Sequence, residues 1–244
     1  MDASHDAYGR EVYDYFHGDE DIHEIVERDD GYVDVSSGPA AYFAPYEAWP
    51  NVEQEAMAYA QGRVLDVGCG PGRVSLYLQE HGHEVLGIDN SPLAIEVALA
   101  RDVKDARVLS ITQASRQKLG IFDTIVMFGN NFGLFGNFKR AKWLLRRFYH
   151  MTSGNGRILA ESLNPYDTTN PDHLSYHERN RRRDRMPGQA RIRIRYKKSA
   201  SPWFDYLLVS PEEMNEIVSG TGWKVTRFLH DDNSVFYVGV IDKI

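Results

Sequence analysis

Residues 64–73 read VLDVGCGPGR: a short apolar run, glycines at 68, 70 and 72, then the start of a helical pattern. Gly68 and Gly70 permit a sharp turn and let a ligand approach the backbone where a Cβ would collide. A helix starting there aims its unbonded N–H groups into the notch. Asp89 stands twenty-one residues beyond Gly68, at the end of the next apolar run. A carboxylate in that place can accept from both hydroxyls of a ribose. These residues describe an adenosine-type cofactor site at the switch point of a parallel sheet. The spacing departs from the dinucleotide pattern G-x-G-x-x-G, because Arg73 takes the third glycine position and Gly72 comes one residue early. Asp66 adds an anion where a pyrophosphate needs room and an α-ammonium group would be welcome.

Other groups capable of chemistry lie outside this motif. FGNNFGLFGN, at 128–137, pairs Asn130 and Asn131 beside glycines and phenylalanines after an apolar run. Tyr42, Phe43, Tyr46 and Trp49 form an aromatic loop that serves either as a second small core or as a lid, whose ring faces would attract a cation. Trp203, Phe204 and Tyr206 could close the opposite side. His177, Tyr166 and Asp205 are the candidate general bases, none with an identifying spacing. Cys69 reads as a small packed residue, since no histidine follows in its local motif.

The elements that position these residues follow from periodicity. Strands are expected at 63–68, 84–89, 106–112, 122–128, 156–163, 223–229 and 234–241. Helices are expected at 72–81, 91–101 and 137–150, with a further one opening at Ser210-Pro211. Ser91 is the expected N-cap of the second, with Pro92 at its first position. Asp231, Asp232 and Asn233 make the last turn. Alternating strand and helix implies a mostly parallel sheet covered on both faces, and the final pair adds one antiparallel strand. The chain divides into an N-terminal helical and aromatic arm (1–60), a main domain (61–163 and 210–244) and an inserted flap (164–209). The arm holds a helix at 8–17, with Tyr8, Val12, Tyr15 and Phe16 on one face, and a short helix at 51–60. The flap pairs RIRIRY (191–196), whose Arg-Ile alternation suits a half-exposed strand, with WFDYLLV (203–209) after a helical lead-in.

Composition narrows the function classes. The 244 residues include 42% apolar and 26% charged residues, enough for a substantial core, and their net charge of −7 argues against coating nucleic acid through an overall field. One cysteine excludes an intramolecular disulfide and a cysteine-based zinc site. Neither a secretion signal nor an apolar run of membrane-spanning length is present, so a cytoplasmic protein is expected. Charge is segregated. Residues 1–35 carry twelve acids against Arg10 and Arg28, and residues 179–198 carry ten bases against Asp184. The basic segment therefore has a partner within the chain, which favours an intramolecular or anionic-substrate role over RNA binding.

The motif DVGCGPGR, the distal Asp89 and the FDTIVMF strand resemble the class I S-adenosylmethionine-dependent methyltransferases. The resemblance extends over roughly residues 50–163 and 210–241. It implies a Rossmann-like, doubly wound sheet of seven strands in the order 3-2-1-4-5-7-6, with strand 7 antiparallel. Gly68, Cys69, Gly70, Gly72 and Arg73 would line the methionine side of S-adenosylmethionine, with Asp66 near its amino group. Asp89 would hold the ribose, Asn90 would lie beside the adenine, and Gln113 with Ala114 would take the place of an acid that often meets the adenine amino group. Phe128, Gly129, Asn130 and Asn131 would face the transferable methyl and the substrate. Against that pattern, the short 113–121 connection is expected to omit a helix that some members have. Tyr42, Tyr46, Trp49, Trp203 and Tyr206 are the further expected substrate contacts, and no metal is expected. The resulting reading is methyl transfer to a small-molecule acceptor by in-line displacement. The alternatives are an RNA or protein methyltransferase using residues 179–198, or a non-catalytic protein that binds the cofactor. Acceptor atom and oligomeric state are not encoded in any recognisable pattern.

Overall fold

The computed structural model describes residues 5–231 and 234–244. Helix α1 (Ala7–Phe16) begins at Asp6, whose carboxylate accepts from the Gly9 N–H at 2.9 Å. Strands β1 (Ile25–Arg28) and β2 (Val33–Val35) follow, then 3-10 turns through the aromatic loop and helix α2 (Asn51–Met57). The alternating part begins with β3 (Val64–Val67), α3 (Arg73–Glu80), β4 (Val85–Asp89), α4 (Pro92–Ala100) and β5 (Ala106–Val108). It continues with α5 (Arg116–Leu119), β6 (Phe122–Met127), α6 (Phe138–His150) and β7 (Thr152–Leu163). The insertion supplies α7 (Pro171–Arg181), β8 (Gln189–Tyr196), β9 (Ser199–Ala200) and β10 (Phe204–Leu207). Helix α8 (Pro211–Val218) and strands β11 (Trp223–His230) and β12 (Phe236–Lys243) complete the order.

Local chemistry explains the helix starts. Ser91 accepts from the Ala94 N–H at 3.0 Å with Pro92 behind it. Ser210 forms a capping box with Glu213 ahead of α8, and Asn137 caps α6 through the Arg140 N–H. Each cap satisfies an amide that the first turn leaves without a partner.

Seven strands form one sheet in the order β11-β12-β7-β6-β3-β4-β5. Numbering only these seven along the chain gives the expected 3-2-1-4-5-7-6. β4 with β5 and β6 with β7 are parallel, whereas β12 runs antiparallel to both β7 and β11. All four residues of β3 are buried, as a central strand covered on both faces requires.

Three expectations need correction. The third strand of the sheet stops at Val108, because Ile111–Gln113 turns into a 3-10 helix. β7 begins four residues early, at Thr152, and the 113–121 connection holds one helical turn, α5. The proposed turn at Asp231-Asp232-Asn233 falls partly outside the described residues.

A second sheet has the order β10-β8-β1-β2, with β9 paired to β8. Its register sets Glu27 opposite Arg193 and Val26 opposite Ile194. The Arg-Ile alternation thus belongs to a strand paired with β1 as well as with the WFDYLLV segment.

The chain forms two compact units. One comprises residues 1–49, 65–113 and 191–204. Its apolar clusters are Ala7, Ile22 and Tyr196, and Val12, Ala94 and Val97 with Tyr8 and Tyr42 packed against the latter. The other comprises residues 50–64, 114–190 and 205–244. Phe122, Phe132, Phe135, Phe148 and Trp223 are fully buried in it.

Candidate functional site

In the first unit the chain leaves β3 and passes through left-handed backbone at Gly68, Gly70 and Gly72, with φ of 75°, 51° and 86°. Gly72 is the N-cap of α3, and a Cβ there would strike the Val103 side chain. Glycine is therefore required at that point both by conformation and by space. An ideal Cβ on Gly70 would fall 2.5 Å from the Tyr8 hydroxyl oxygen. Arg101 braces the same turn, donating to the Pro71 carbonyl at 2.8 Å while its guanidinium lies 4.7 Å from the Phe43 ring centre.

The two carboxylates of the motif are held by different groups. Asp89 accepts from the Ser91 N–H at 2.9 Å and the Gly70 N–H at 3.1 Å, so it bridges the start of α4 and the glycine turn. Asp66 is 2% exposed and accepts from the Ser75 hydroxyl at 2.7 Å. Burial pushes the Asp66 carboxyl up to about 6, against the Ser75 hydroxyl and the Arg73 charge, which pull it down. Burial likewise pushes Asp89 up to about 6, opposed by the Ser91 and Gly70 amides. Cys69 is buried and burial raises its thiol pKa well above the ordinary value, which leaves it a packed, unreactive residue. Asn90 and Gln113 are exposed, and Ala114, in the second unit, is fully buried with its carbonyl taken by Arg147.

The arm contributes residues that motif reading passed over. Asp6 is fully buried; besides capping α1 it accepts from the Ser91 hydroxyl at 2.8 Å and the Leu93 N–H at 3.2 Å. This ties α1 to the start of α4, next to Asp89, and sets Tyr8 at Gly70. Tyr42 meets Tyr8 edge-on, with ring centres 5.4 Å apart. The aromatic loop is split in role. Tyr46 stacks on Tyr77 at 4.3 Å, and Trp49, 4% exposed, gives its indole N–H to the Ala44 carbonyl while Arg73 lies 4.4 Å from its ring centre. For Tyr46 and Trp49 the small-core role replaces the lid, because their faces are already covered by α3 and Arg73. Trp203, half-buried, packs under Arg193 at 4.8 Å.

In the second unit β6 ends in a turn built on left-handed Gly129 (φ 68°) and Asn130 (φ 62°). Asn130 donates its N–H to Glu161 at 2.8 Å, and its carbonyl accepts from the Tyr206 hydroxyl at 2.6 Å. The Gly129 N–H lies 3.4 Å from Glu53. Glu53 and Glu161 are 1% and 2% exposed. Phe128 is buried beneath this turn, and Asn131 starts the 3-10 helix that follows it. Tyr206 and Asn130 are therefore brought together. Glu161 could have been noticed as a lone acid inside the apolar strand ILAESL; Glu53 carries no comparable signal.

The candidate bases have other partners. Tyr166 donates its hydroxyl to Glu213 at 2.6 Å, and burial together with that carboxylate raises its pKa, so the phenol stays protonated. Asp205 lies 3.3 Å from Arg185, and His177, 7% exposed, packs edge-on against Tyr166. Among the described residues no group of three or more His, Cys, Asp or Glu could hold a metal ion, and no helix is long and apolar enough to cross a membrane.

The basic segment meets acids of the same chain. Arg193 makes a two-pronged contact with Glu27 at 2.9 and 3.1 Å, and Arg195 reaches the same carboxylate at 3.4 Å. Lys197 binds Asp14 and Asp19 at 2.8 and 2.9 Å. The Arg193 contact leads in holding the Glu27 carboxyl below its ordinary value, and the Asp14 contact leads in raising Lys197.

Comparison with known proteins agrees with this geometry. Residues 64–156 match the family model described as a methyltransferase domain. A solved S-adenosylmethionine-dependent methyltransferase from Bacteroides fragilis, in complex with S-adenosyl-L-homocysteine, superposes with a TM-score of 0.83 at 26% identity, covering 100% of this chain and 97% of that one. A curated protein from Geobacillus sp. (strain WCH70) is 26% identical over 54% of this chain and 61% of its own length. The 18S rRNA (guanine-N(7))-methyltransferase of Bos taurus is 39% identical over 26% of this chain and 23% of its own length. The chain thus spans less than two thirds of these curated relatives.

Proposed function

We propose that this chain, which carries a class I S-adenosylmethionine-dependent methyltransferase domain, binds S-adenosylmethionine at the glycine turn and passes its methyl group to a small-molecule acceptor. The left-handed glycine turn at the end of β3, with the Asp89 carboxylate on the Gly70 N–H beside it, supports the cofactor. Asp89 holds the ribose and Asp66 lies toward the amino group, as the resemblance implies. When bound, the cofactor supplies a methyl group already activated on a positively charged sulfur. The protein then has to align and to exclude water, which can contribute up to ~7–11 kcal/mol. Asp89 and the turn amides orient the nucleoside. Tyr8, with Tyr42 edge-on against it, covers the glycine turn.

One observation carries the small-molecule reading. The flap bases Arg193, Arg195 and Lys197 are engaged by Glu27, Asp14 and Asp19. Bases so neutralised release few counterions on meeting a phosphate backbone, which is the main source of affinity for nucleic acid. The second reading, an RNA acceptor, draws on the short match to the rRNA enzyme. Incubating cell extract with methyl-labelled S-adenosylmethionine and sorting the label by size tests both. Label in small molecules is expected. Label confined to RNA, with a steep salt dependence, moves the assignment to the second reading, and no label in any fraction leaves a binding protein without turnover.

A further inference from the structure

We infer that the outward face of α6 is a docking surface for an anionic lipid bilayer. The inference goes beyond the methyl-transfer reading and does not depend on it. Helix α6 reads FKRAKWLLRRFYH, with five lysines and arginines and no acid. Ala141, Leu144, Leu145 and Phe148 bury one side of it. Lys139, Trp143, Arg146 and His150 recur at the helical period and are all exposed, so they form a stripe along the outside. The segment ahead of β6 flanks the C-terminal half of the helix. Arg147 donates to the Ala114 carbonyl at 3.1 Å, and the Phe122 N–H donates to the Met151 carbonyl at 2.9 Å. That segment adds Arg116 and Lys118, both exposed. Residues 114–151 carry seven lysines and arginines against Asp123 alone, in a chain whose net charge is −7.

This charge does not serve the helix. Lys139 and Arg140 sit in the first turn, where the macrodipole favours acids. Lys139, Lys142 and Arg146 follow at spacings of three and four residues, which sets like charges side by side. Where the helix bases are bonded, they meet neutral carbonyls: Arg140 that of Phe135, Lys142 that of Ser219 and Arg147 that of Ala114. Among the described residues no carboxylate pairs with the bases of α6, or with Arg116 or Lys118. Lys243 gives its ammonium to the Tyr149 and Thr152 carbonyls at the end of the helix, at 2.7 and 2.9 Å. Burial, with the Arg116 charge next, holds its pKa below the ordinary value. The flap is the contrast, since Arg193, Arg195 and Lys197 have acids of the same chain beside them. Cations that disfavour their own helix and have no internal partner point to an anionic partner outside.

A second copy seated symmetrically on this face would set cation against cation. A phosphate surface fits, and the apolar residues of the patch select a bilayer over a nucleic-acid strand. Trp143 is 43% exposed among the cations, and Ile121, beside the end of the helix, is 39% exposed. An indole ringed by Lys and Arg suits the headgroup layer of a membrane. An aliphatic side chain there gains hydrocarbon contact from lipid and nothing from a phosphodiester backbone. Stacking of a base needs an open ring, whereas the Arg147 guanidinium lies 4.7 Å from the Trp143 ring centre and covers one face. Headgroups act on these cations within a Debye length, about 8 Å at physiological salt, so the patch outweighs the distant acids and orients the protein on the surface.

Vesicle binding by the intact protein tests this. The vesicles are phosphatidylcholine alone, or phosphatidylcholine with about 30% phosphatidylglycerol, at roughly 50 to 500 mM salt. Sedimentation with the anionic vesicles alone, lost at high salt, is expected. Tryptophan emission should shift to the blue on binding, and the shift should vanish in Trp143→Phe, because Trp49 and Trp223 are already buried. The triple variant Lys118→Gln, Lys139→Gln, Arg146→Gln removes three exposed cations. It should lose on the order of 100-fold in partitioning, about fivefold per cation. Its affinity for S-adenosylhomocysteine should match wild type, and its urea midpoint should stay level or rise as repulsion is relieved. Equal binding to both kinds of vesicle, binding to neither, or full binding by the triple variant overturns the inference. So does a blue shift that persists in Trp143→Phe, or a lower urea midpoint in the triple variant, which would mean that the cations serve the fold. Wild-type protein that ignores vesicles but binds a random RNA through the same three cations would make this face a nucleic-acid surface, and overturns it too.

Discussion

The hydroxyl of Tyr8 occupies the space that a side chain on Gly70 would need: an ideal Cβ there lies 2.5 Å from the Tyr8 oxygen but 3.7 Å from its Cζ. The glycine turn and the N-terminal arm are thus fitted to each other through one atom. Gly70→Ala should destabilise the protein by ~1–3 kcal/mol, part from left-handed backbone and part from the collision. Removing the hydroxyl leaves an ordinary contact, so Tyr8→Phe should relieve the second part alone. The expected outcome is a double-mutant cycle, read by urea unfolding, in which the pair couples by ~0.5–2 kcal/mol. Strict additivity would mean that Tyr8 and Gly70 do not share this space.

Asp89 joins the glycine turn to α4 and is the proposed ribose ligand. Asp89→Ala should weaken S-adenosylhomocysteine binding by ~1.5–3 kcal/mol, the loss of hydrogen bonds to a charged group. Calorimetry on the wild-type and variant proteins measures it, and tighter binding of NAD by the wild type would contradict the cofactor assignment. A pH effect accompanies this. Asp66 and Asp89 both titrate near 6 in the free protein. Where the carboxylate is the form that binds, lowering the pH through 6 loads protons that the ligand must displace. Affinity should then fall by up to ~10-fold per pH unit for each group involved. Equal affinity at pH 5 and pH 7.5 would detach these carboxylates from binding.

Much of this fold was legible because its signals are local. Ser91-Pro92 and Ser210-Pro211 start helices through contacts made within three residues, and the alternation of apolar runs set the sheet order through a family resemblance. The glycines of the turn were readable for the same reason, since conformation alone demands them. What escaped notice depends on distant pairings. Asp6 is one acid among twelve until Ser91 and Leu93 are brought to it. Trp49 reads equally as lid or core until Arg73 and the Ala44 carbonyl cover it. The early end of β5 reflects a turn that no apolar period could announce.

Glu11 and Glu24 bring two carboxyls together inside the arm, at 0% and 6% exposure. Burial, with the neighbouring Glu24 charge next in size, pushes Glu11 up to about 8. Its value in the unfolded chain is near 4.5. The folded state therefore binds more protons than the unfolded state between these values, and stability should fall as pH rises from about 4.5 to 8. Glu11→Gln cannot ionise. It should be more stable than wild type at pH 8, by on the order of 2–4 kcal/mol, with a smaller difference or none at pH 5. Urea unfolding at the two pH values checks this; parallel shifts at both would show that Glu11 takes up no proton on folding.

Glu27 lies between the acidic arm and the basic flap strand, and its contacts are with Arg193 and Arg195 across the β1–β8 register. If these bases are engaged by Glu27 rather than kept for phosphates, Glu27→Gln should release them. The variant should bind heparin or a random RNA more tightly than wild type. Its log Kd against log salt should steepen by ~1–2, since each added phosphate contact contributes about 0.9 to that slope. Fluorescence anisotropy between 50 and 200 mM salt, roughly the range over which counterion release is visible, supplies the measurement. The converse outcome is equally informative. A wild-type protein that already binds RNA with a slope of about 6 or more would mean that other bases of the flap carry the contact. The acceptor would then have to be sought among nucleic acids.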